Sequence, residues 1–508
     1  MAGHTYISRK YRATLLAISL LLAAVPEAAA KTVLFDELTN RSIATEITKS
    51  ASGTDQSLRI VGVPLGNSDG PSDAALDLRS MDVFAADARI TIQTPDGEVV
   101  RPAPRHLYFG GSIEGRHGSR AVVTLLESGG IRGIVYDSES WWRIGDVEEQ
   151  DRKRSIVRRV DPGEGEEFHC GNGDLPPDLD SLVAGVRDHD EASHAEATHD
   201  ARKVADKGTA ASYTARIAFE TDEEYLGRFG GNTADATDYV GDLVALGSMV
   251  YTDEVATSWQ VQSVNLWTTT DPWDESPGSC ALYEFGKYWN DNNSGVDRTI
   301  AHMLSGKSAN SGVAWVGVLC DDTFGSFPIV TGGCVEVPTN INGADYGGDY
   351  GFTGGIDGNL DINSPAPLWD SVAVLHEIGH NFNSPHTHCY NGIGGSSDPI
   401  DMCFSGQTNC YAGPTSLPSG CPGSGSNCGT IMSYCHFQPG GISGNVSLTL
   451  GESWNYGILP DRVPDRMNAH VVSQADSNPG CLDLVPNDSI FSDGFESGNT
   501  SAWSSTSP

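Results

Sequence analysis

Ser371-Val372-Ala373-Val374-Leu375-His376-Glu377-Ile378-Gly379-His380-Asn381-Phe382-Asn383-Ser384-Pro385-His386 is the stretch from which the rest of this 508-residue chain is read. Residues four apart share one face of an α-helix, so His376 and His380 can aim imidazole nitrogens at one ion about 2 Å away, with Glu377 beside them. To bring a third ligand back to the same ion, the backbone must leave the helix sharply near Asn383. Asparagine is the non-glycine residue best suited to the left-handed conformation this needs, and Pro385 keeps the helix from resuming. His386 is that third ligand. Three neutral imidazoles leave one position of a tetrahedral Zn2+ open, as in catalytic rather than closed structural sites.

Chance does not account for the spacing. With His at 14 of 508 positions, an accidental HExxH is expected on the order of 0.02 times in the chain, and the third His lowers that below about 0.001. With zinc acidifying a water at the open position, Glu377 can take that water's proton and pass it to a leaving amine. The metal also stabilises the oxyanion, so no nucleophilic Ser or Cys is required. A peptide bond is the expected target.

HEIGHNFNSPH, followed by Gly429-Thr430-Ile431-Met432-Ser433-Tyr434, resembles the metzincin clan of zinc endopeptidases, and within it the adamalysins or reprolysins. The run Ser311-Gly312-Val313-Ala314-Trp315-Val316-Gly317-Val318-Leu319-Cys320-Asp321 resembles their central strand. Tyr108-Phe109-Gly110-Gly111 through Gly130-Ile131-Arg132-Gly133 resembles their propeptide. The resemblance implies that Met432 is the Met-turn residue packed below the metal. Tyr434 matches a metal-proximal Tyr of the related astacins, which leaves three roles open: fifth ligand, oxyanion donor, or packing under the turn. Two positions depart from the family pattern. Asn383 stands where the family has Gly, and Thr387 where adamalysins commonly have Asp. His388 is a nearby alternative ligand, but His386 has the matching spacing.

Cys170, in Phe168-His169-Cys170-Gly171, is the odd one of eleven cysteines. The other ten lie after residue 275 and could close five disulfides in an oxidising compartment, and no CxxC pair suggests a zinc ribbon. The resemblance implies a cysteine switch, in which the Cys170 thiolate fills the open zinc position until the propeptide is removed. A disulfide partner or a free thiol is the other reading.

The remainder of the chain fits an exported zymogen. Arg9, Lys10 and Arg12 precede an uncharged, mostly apolar run over 13–25 and Ala28-Ala29-Ala30, a signal peptide over 1–30, with the run too short to span a bilayer. Residues 31–170 read as a β-rich prodomain that folds by itself. Leu58, Ile60, Ile90 and Ile92 alternate with polar neighbours, Pro95-Asp96-Gly97 is a turn, and 121–126 with 131–136 form a hairpin. Residues 171–212 are charged, His-rich and small, an exposed linker in which activation cleavage is expected between about 200 and 212.

The catalytic domain is expected over 213–485, a twisted mixed α/β sheet with a buried strand at 312–319, helices over 235–250 and 464–472, and a loop-rich, disulfide-bonded subdomain after 387. Residues 486–508 read as a disordered tail. Asp398 and Asp401 could contribute to a Ca2+ site, although oxygen-rich loops are common in acidic exported proteins. The net charge of −36, from 31 Lys and Arg against 67 Asp and Glu, repels nucleic acid and anionic lipid. Protein or peptide substrates, no membrane span, a monomeric state and an extracellular location are expected. A zinc-containing binding protein or adhesin without turnover is the alternative. The intact Glu377 argues against it, since a retired site has no need of that carboxylate.

Overall fold

The computed structural model describes residues 31–38, 56–67, 70–149, 152–160, 169–170, 212–273, 278–307, 311–321, 347–358 and 368–484. The expected signal peptide, the linker with its cleavage region, and the C-terminal tail lie outside them, as does Cys334.

Two sheets form the scaffold. The first runs in the order β1 (Lys31–Leu34), β2 (Ser57–Asn67), β3 (Gly70–Met81), β6 (Leu107–Ile113), β7 (Arg120–Leu125), β8 (Ile131–Tyr136), β9 (Trp141–Glu149) and β10 (Arg152–Arg159). Its pairings are antiparallel except β1 with β2. The hairpin expected over 121–136 is β7–β8, with Leu125 opposite Ile131. Alternation puts Leu58, Ile60, Leu76, Leu78, Ala121 and Val123 into a core that belongs to this sheet alone.

The second sheet runs β11 (His169–Cys170), β15 (Ser311–Ala314), β16 (Tyr350–Thr353), β14 (Ile300–Leu304), β12 (Tyr213–Thr221), β13 (Thr257–Trp267), β4 (Phe84–Thr94) and β5 (Gly97–Pro102), with β17 (Leu482–Leu484) also on β12. It is mixed. Strands β16, β14, β12, β13 and β4 are parallel, while β15 and β5 run antiparallel to their inner neighbours. The strands of residues 31–170 do not all keep to one sheet. β4 and β5 leave the first sheet, and β4 pairs with β13, Val264 opposite Ile90 and Leu266 opposite Ile92. Alternating residues fit any sheet that offers an apolar face, so periodicity does not say which sheet a strand joins.

Helices α1 (Glu223–Arg228), α2 (Thr233–Val255), α3 (Gly278–Asn292), α4 (Leu368–Asn381), α5 (Gly441–Asn445) and α6 (Arg462–Ser477) accompany this sheet. The expected helix over 235–250 is the middle of α2. It begins at Asn232, whose side chain accepts from the Ala234 and Asp235 amides, and ends at Ala256 in the left-handed conformation. Gly247 permits its closest approach to the sheet, because a β-carbon there would enter the Trp259 ring. The expected helix over 464–472 extends over all of α6.

The buried strand expected over 312–319 stops at Ala314. Trp315, Val318 and Leu319 are buried all the same, in a turn built on Gly317 at φ +71°. The Gly317 and Val318 amides donate to His380 O and Asn381 O at 2.9 and 3.1 Å. The apolar run thus satisfies carbonyls at the end of α4 that a helix terminus otherwise leaves unpaired.

Four disulfides are described, Cys320–Cys481, Cys389–Cys410, Cys403–Cys435 and Cys421–Cys428. Cys280 is disulfide-bonded as well.

Candidate metal centre

α4 is buried along its described length, with Val372, Val374, Leu375 and Ile378 no more than 5% exposed. Asp370 in its first turn accepts from the Tyr239 hydroxyl at 2.5 Å and from the Asp357 and Gly358 amides, fixing the start of the helix. Its end is set by Asn383 at φ +77°, whose amide donates to His380 O at 2.8 Å. The departure from Gly at this position is accommodated locally. Arg466 Nε and Nη2 donate to Asn383 O and Oδ1 at 2.5 and 2.9 Å. Gly317 leaves the room, since a β-carbon there would stand 2.8 Å from Asn383 Oδ1.

His376, His380 and His386 converge, with one ligand nitrogen from each lying within 4.8 Å of the others. Each ring is held through Nδ1. His376 pairs with Ile431 O at 2.7 Å, His380 with Ser384 O at 2.7 Å and His386 with Gln407 Oε1 at 2.8 Å. These bonds fix Nδ1 as the protonated nitrogen and turn Nε2 inward, the arrangement that a hydrogen-bond acceptor behind the ring imposes on metal-ligating histidines. His386 Nε2 is buried without a hydrogen-bond partner, an atom whose burial a metal would compensate. Burial lowers all three pKa values, His376 to about 4 and the other two well below the ordinary 6.5. The imidazoles are therefore neutral at pH 7, the state a metal needs. The donor set fits Zn2+.

Glu377 is fully buried beside them. β15 lies against it at Gly312, where a β-carbon would come within 2.5 Å of Glu377 Cγ and Cδ. On its other edge β15 pairs with β11 in parallel, Cys170 opposite Gly312. The backbone at Cys170 is therefore next to the strand that touches Glu377; its side chain lies outside what is described.

Met432 is buried under the helix, and Gly379 makes space for it, since a β-carbon there would enter Met432 Sδ. Its carbonyl accepts from the Thr387 amide at 3.1 Å and hydroxyl at 3.3 Å. The Thr387 hydroxyl also bonds the buried Asp401 carboxyl. Where the family pattern has Asp after the third His, this chain joins Thr387 to a carboxylate fourteen positions further on. The Tyr434 ring packs 4.2 Å from that of His386 and 5.0 Å from Phe404, centroid to centroid, and is 4% exposed.

His388 joins a second group with His386 and Cys389, and Asp401 a third with Cys403 and Cys435. Cys389 is bonded to Cys410, and Cys403 to Cys435, so neither group offers three ligands. His388 Nε2 instead shares Gln407 Oε1 with His386, at 2.9 Å. The expected Ca2+ site finds no support. Asp398 belongs to none of these groups among the described residues, and Asp401 is committed to Thr387 and the Cys403 amide.

Sequence reasoning missed Gln407, Gly312 and Arg466, none of which lies in a motif. No sequence signal marks Gln407, since the Cys389–Cys410 bridge that brings its loop to His386 is seen only in the structure.

Residues 211–440 match the model of the family described as metallo-peptidase family M12, Reprolysin_5. No curated protein matches the chain. Among solved structures, metalloproteinase-II from Bacteroides fragilis aligns at 11% identity and a TM-score of 0.34, over 71% of this chain and 90% of that one. A chaperone-substrate complex aligns at 13% identity and a TM-score of 0.25, over 52% of this chain and 36% of that one.

Proposed function

We propose, for a chain whose residues 211–440 match the model of metallo-peptidase family M12, that it is a zinc-dependent endopeptidase made as an exported zymogen. His376, His380 and His386 hold the zinc, and Glu377 is the general base and acid. The observation that carries this reading is the set of three histidines anchored through Nδ1 around one point, with Glu377 buried beside it.

Zinc, when bound, supplies Lewis-acid polarisation of a peptide carbonyl and acidification of water. The chain's own groups do the rest. Ile431 O, Ser384 O and Gln407 Oε1 hold the ligand rings in one tautomer. A Glu377 carboxylate oxygen takes the proton of the attacking water and delivers it to the leaving amine nitrogen as the C–N bond breaks. The Tyr434 ring packs against His386, and Met432 lies buried against Gly379 of the helix that carries His376 and His380. Protein or peptide substrates follow from peptidase family membership.

In the proform Cys170 blocks the metal. The pairing of β11 with β15, Cys170 opposite the Gly312 that abuts Glu377, supports this role. Cleavage between about 200 and 212 would free the site. An extracellular location is supported by the disulfides, and among the described residues no helix is long and apolar enough to cross a membrane. The active species is a single copy of the chain.

The test is hydrolysis of an unfolded protein by the zinc-loaded, processed chain, beside Glu377→Ala and chelator-treated samples. Loss of cleavage in both controls, with zinc retained by Glu377→Ala, supports the reading. No cleavage by the zinc-loaded chain would favour a zinc-containing binding protein.

A further inference from the structure

Among the described residues, the N-terminal region touches the rest of the chain at two places of very different strength. On the metal side there is the two-residue pairing of β11 with β15. Towards the opposite edge of the sheet and over α2 the attachment is broad. β4 covers β13 over 263–267, with further bonds from the Val261 amide to Val83 O and from the Thr268 amide to Gln93 O at 2.8 and 3.0 Å. Val83, Ile90, Tyr108, Val122, Tyr136 and Trp141 share one apolar core with Val240, Leu243, Val244, Met249 and Trp259.

The polar contacts are complementary as well. β7 and β8 present Arg120 and Arg132 to carboxylates on α2. Arg120 pairs with Asp253 and with Glu254, the latter at 2.5 Å, and Arg132 with Asp242 at 2.9 Å. His106 meets Asp238 at 2.8 Å, and the Thr124 hydroxyl donates to Asp242 at 2.8 Å. Glu254 is 1% exposed, so separating the two parts would strand a buried carboxylate.

This attachment reaches the metal centre through one strip of chain. Arg120 Nε donates to Leu448 O at 3.0 Å, and Tyr136 OH bonds Ser447 Oγ at 3.1 Å. Glu254 Oε2 accepts from the Thr449 hydroxyl and the Leu450, Gly451 and Glu452 amides at 2.9–3.1 Å. The Ile431 amide in turn donates to Thr449 O at 2.9 Å, and Ile431 O holds His376.

We infer that residues 31–160 are a permanent subunit of the processed enzyme rather than a piece that leaves. A chain cut between 171 and 211 stays together through the α2 and β13 contacts, and the N-terminal part goes on bracing 447–451 behind the His376 anchor. The proposal takes from the preceding section only that the chain is cut in that segment. An apolar shared core with buried ion pairs is the pattern of obligate interfaces, and buried pairs are little screened by salt.

The test uses the full chain with a recognition sequence for a site-specific protease inserted between Arg202 and Lys203, carrying Glu377→Ala to prevent self-digestion. After complete cutting, the two fragments are expected in one size-exclusion peak at equal stoichiometry, at about 100 nM protein and about 1 M salt. Separate peaks would overturn the inference. The cut chain with Glu377 intact is run in parallel. Hydrolysis travelling with the two-fragment peak supports the inference, and hydrolysis found only with the C-terminal fragment alone overturns it. A stable two-fragment peak in which the Glu377 chain hydrolyses nothing would sink the peptidase reading and leave the subunit standing.

Discussion

Gly312 and Glu377 are packed so closely that the strand and the helix fit together only because residue 312 has no side chain. A β-carbon there would lie 2.5 Å from Glu377 Cγ and Cδ. The position of the carboxylate is thus set by a glycine on a neighbouring strand, 65 residues earlier in the sequence, as well as by its own helix.

Gly312→Ala should therefore displace the Glu377 side chain while leaving the histidines alone. Displacing a catalytic group by about 1 Å can cost about 100-fold, and that is the expected fall in kcat/KM with unchanged zinc content. Hydrolysis rates and metal analysis on the same preparation check it.

Gln407 is the acceptor that orients His386 and also binds His388. Gln407→Leu leaves both rings without it, and zinc affinity should fall about 10–100-fold. Gln407→Glu, which keeps an acceptor oxygen, should lose much less. Competition with a chromogenic chelator reads the difference without reference to turnover.

Glu220 on β12 titrates far from its ordinary 4.5. Burial pushes its carboxyl up to about 7, although Trp267, Trp289 and Asn265 all donate to it. Between pH 4.5 and 7 the unfolded chain ionises this group while the folded chain keeps it protonated. The folded state then binds more protons, so stability falls as pH rises through that window and levels off above 7. The loss is up to roughly 3 kcal/mol. Melting temperatures of the parent and Glu220→Gln chains from pH 4 to 8 should show this part of the slope in the parent only.

Removing the Arg120 guanidinium leaves Glu254 buried with one partner fewer. Arg120→Met is expected to destabilise the uncut chain by about 3 kcal/mol, towards the lower end for a broken buried pair because four other donors remain on Glu254. The Asp253 pair, with Asp253 43% exposed, adds well under about 1 kcal/mol. The midpoint of urea unfolding measures the change.

The convergence of the three histidines was legible because its geometry is local. His376 and His380 lie one helical turn apart, and the break after Asn381 is written in Asn383 and Pro385. The groups that fix the rings were not legible, because two of the three acceptors are backbone carbonyls, Ile431 O and Ser384 O, which any residue supplies. The N-terminal strands followed from alternation, but their division between two sheets did not. The segment 315–319 misled for a related reason. Its apolar side chains record burial, which a strand and a helix-capping turn share, and only Gly317 hinted at the turn.

The place of β4 beside β13 also has a consequence in time. Gln93 donates to Asn265 across 172 residues of sequence, so the outer strands of the larger sheet are synthesised long before the strand they need. Closing so large a loop before any of its contacts form makes folding slow. Until Trp267 has emerged, the hairpin carrying the exposed Val99 and Val100 has an open edge and nothing to pair with, and is vulnerable to joining another chain. The first sheet and its core lie wholly within the early part of the chain, whereas the β4–β5 hairpin waits for the later strand that β4 pairs with.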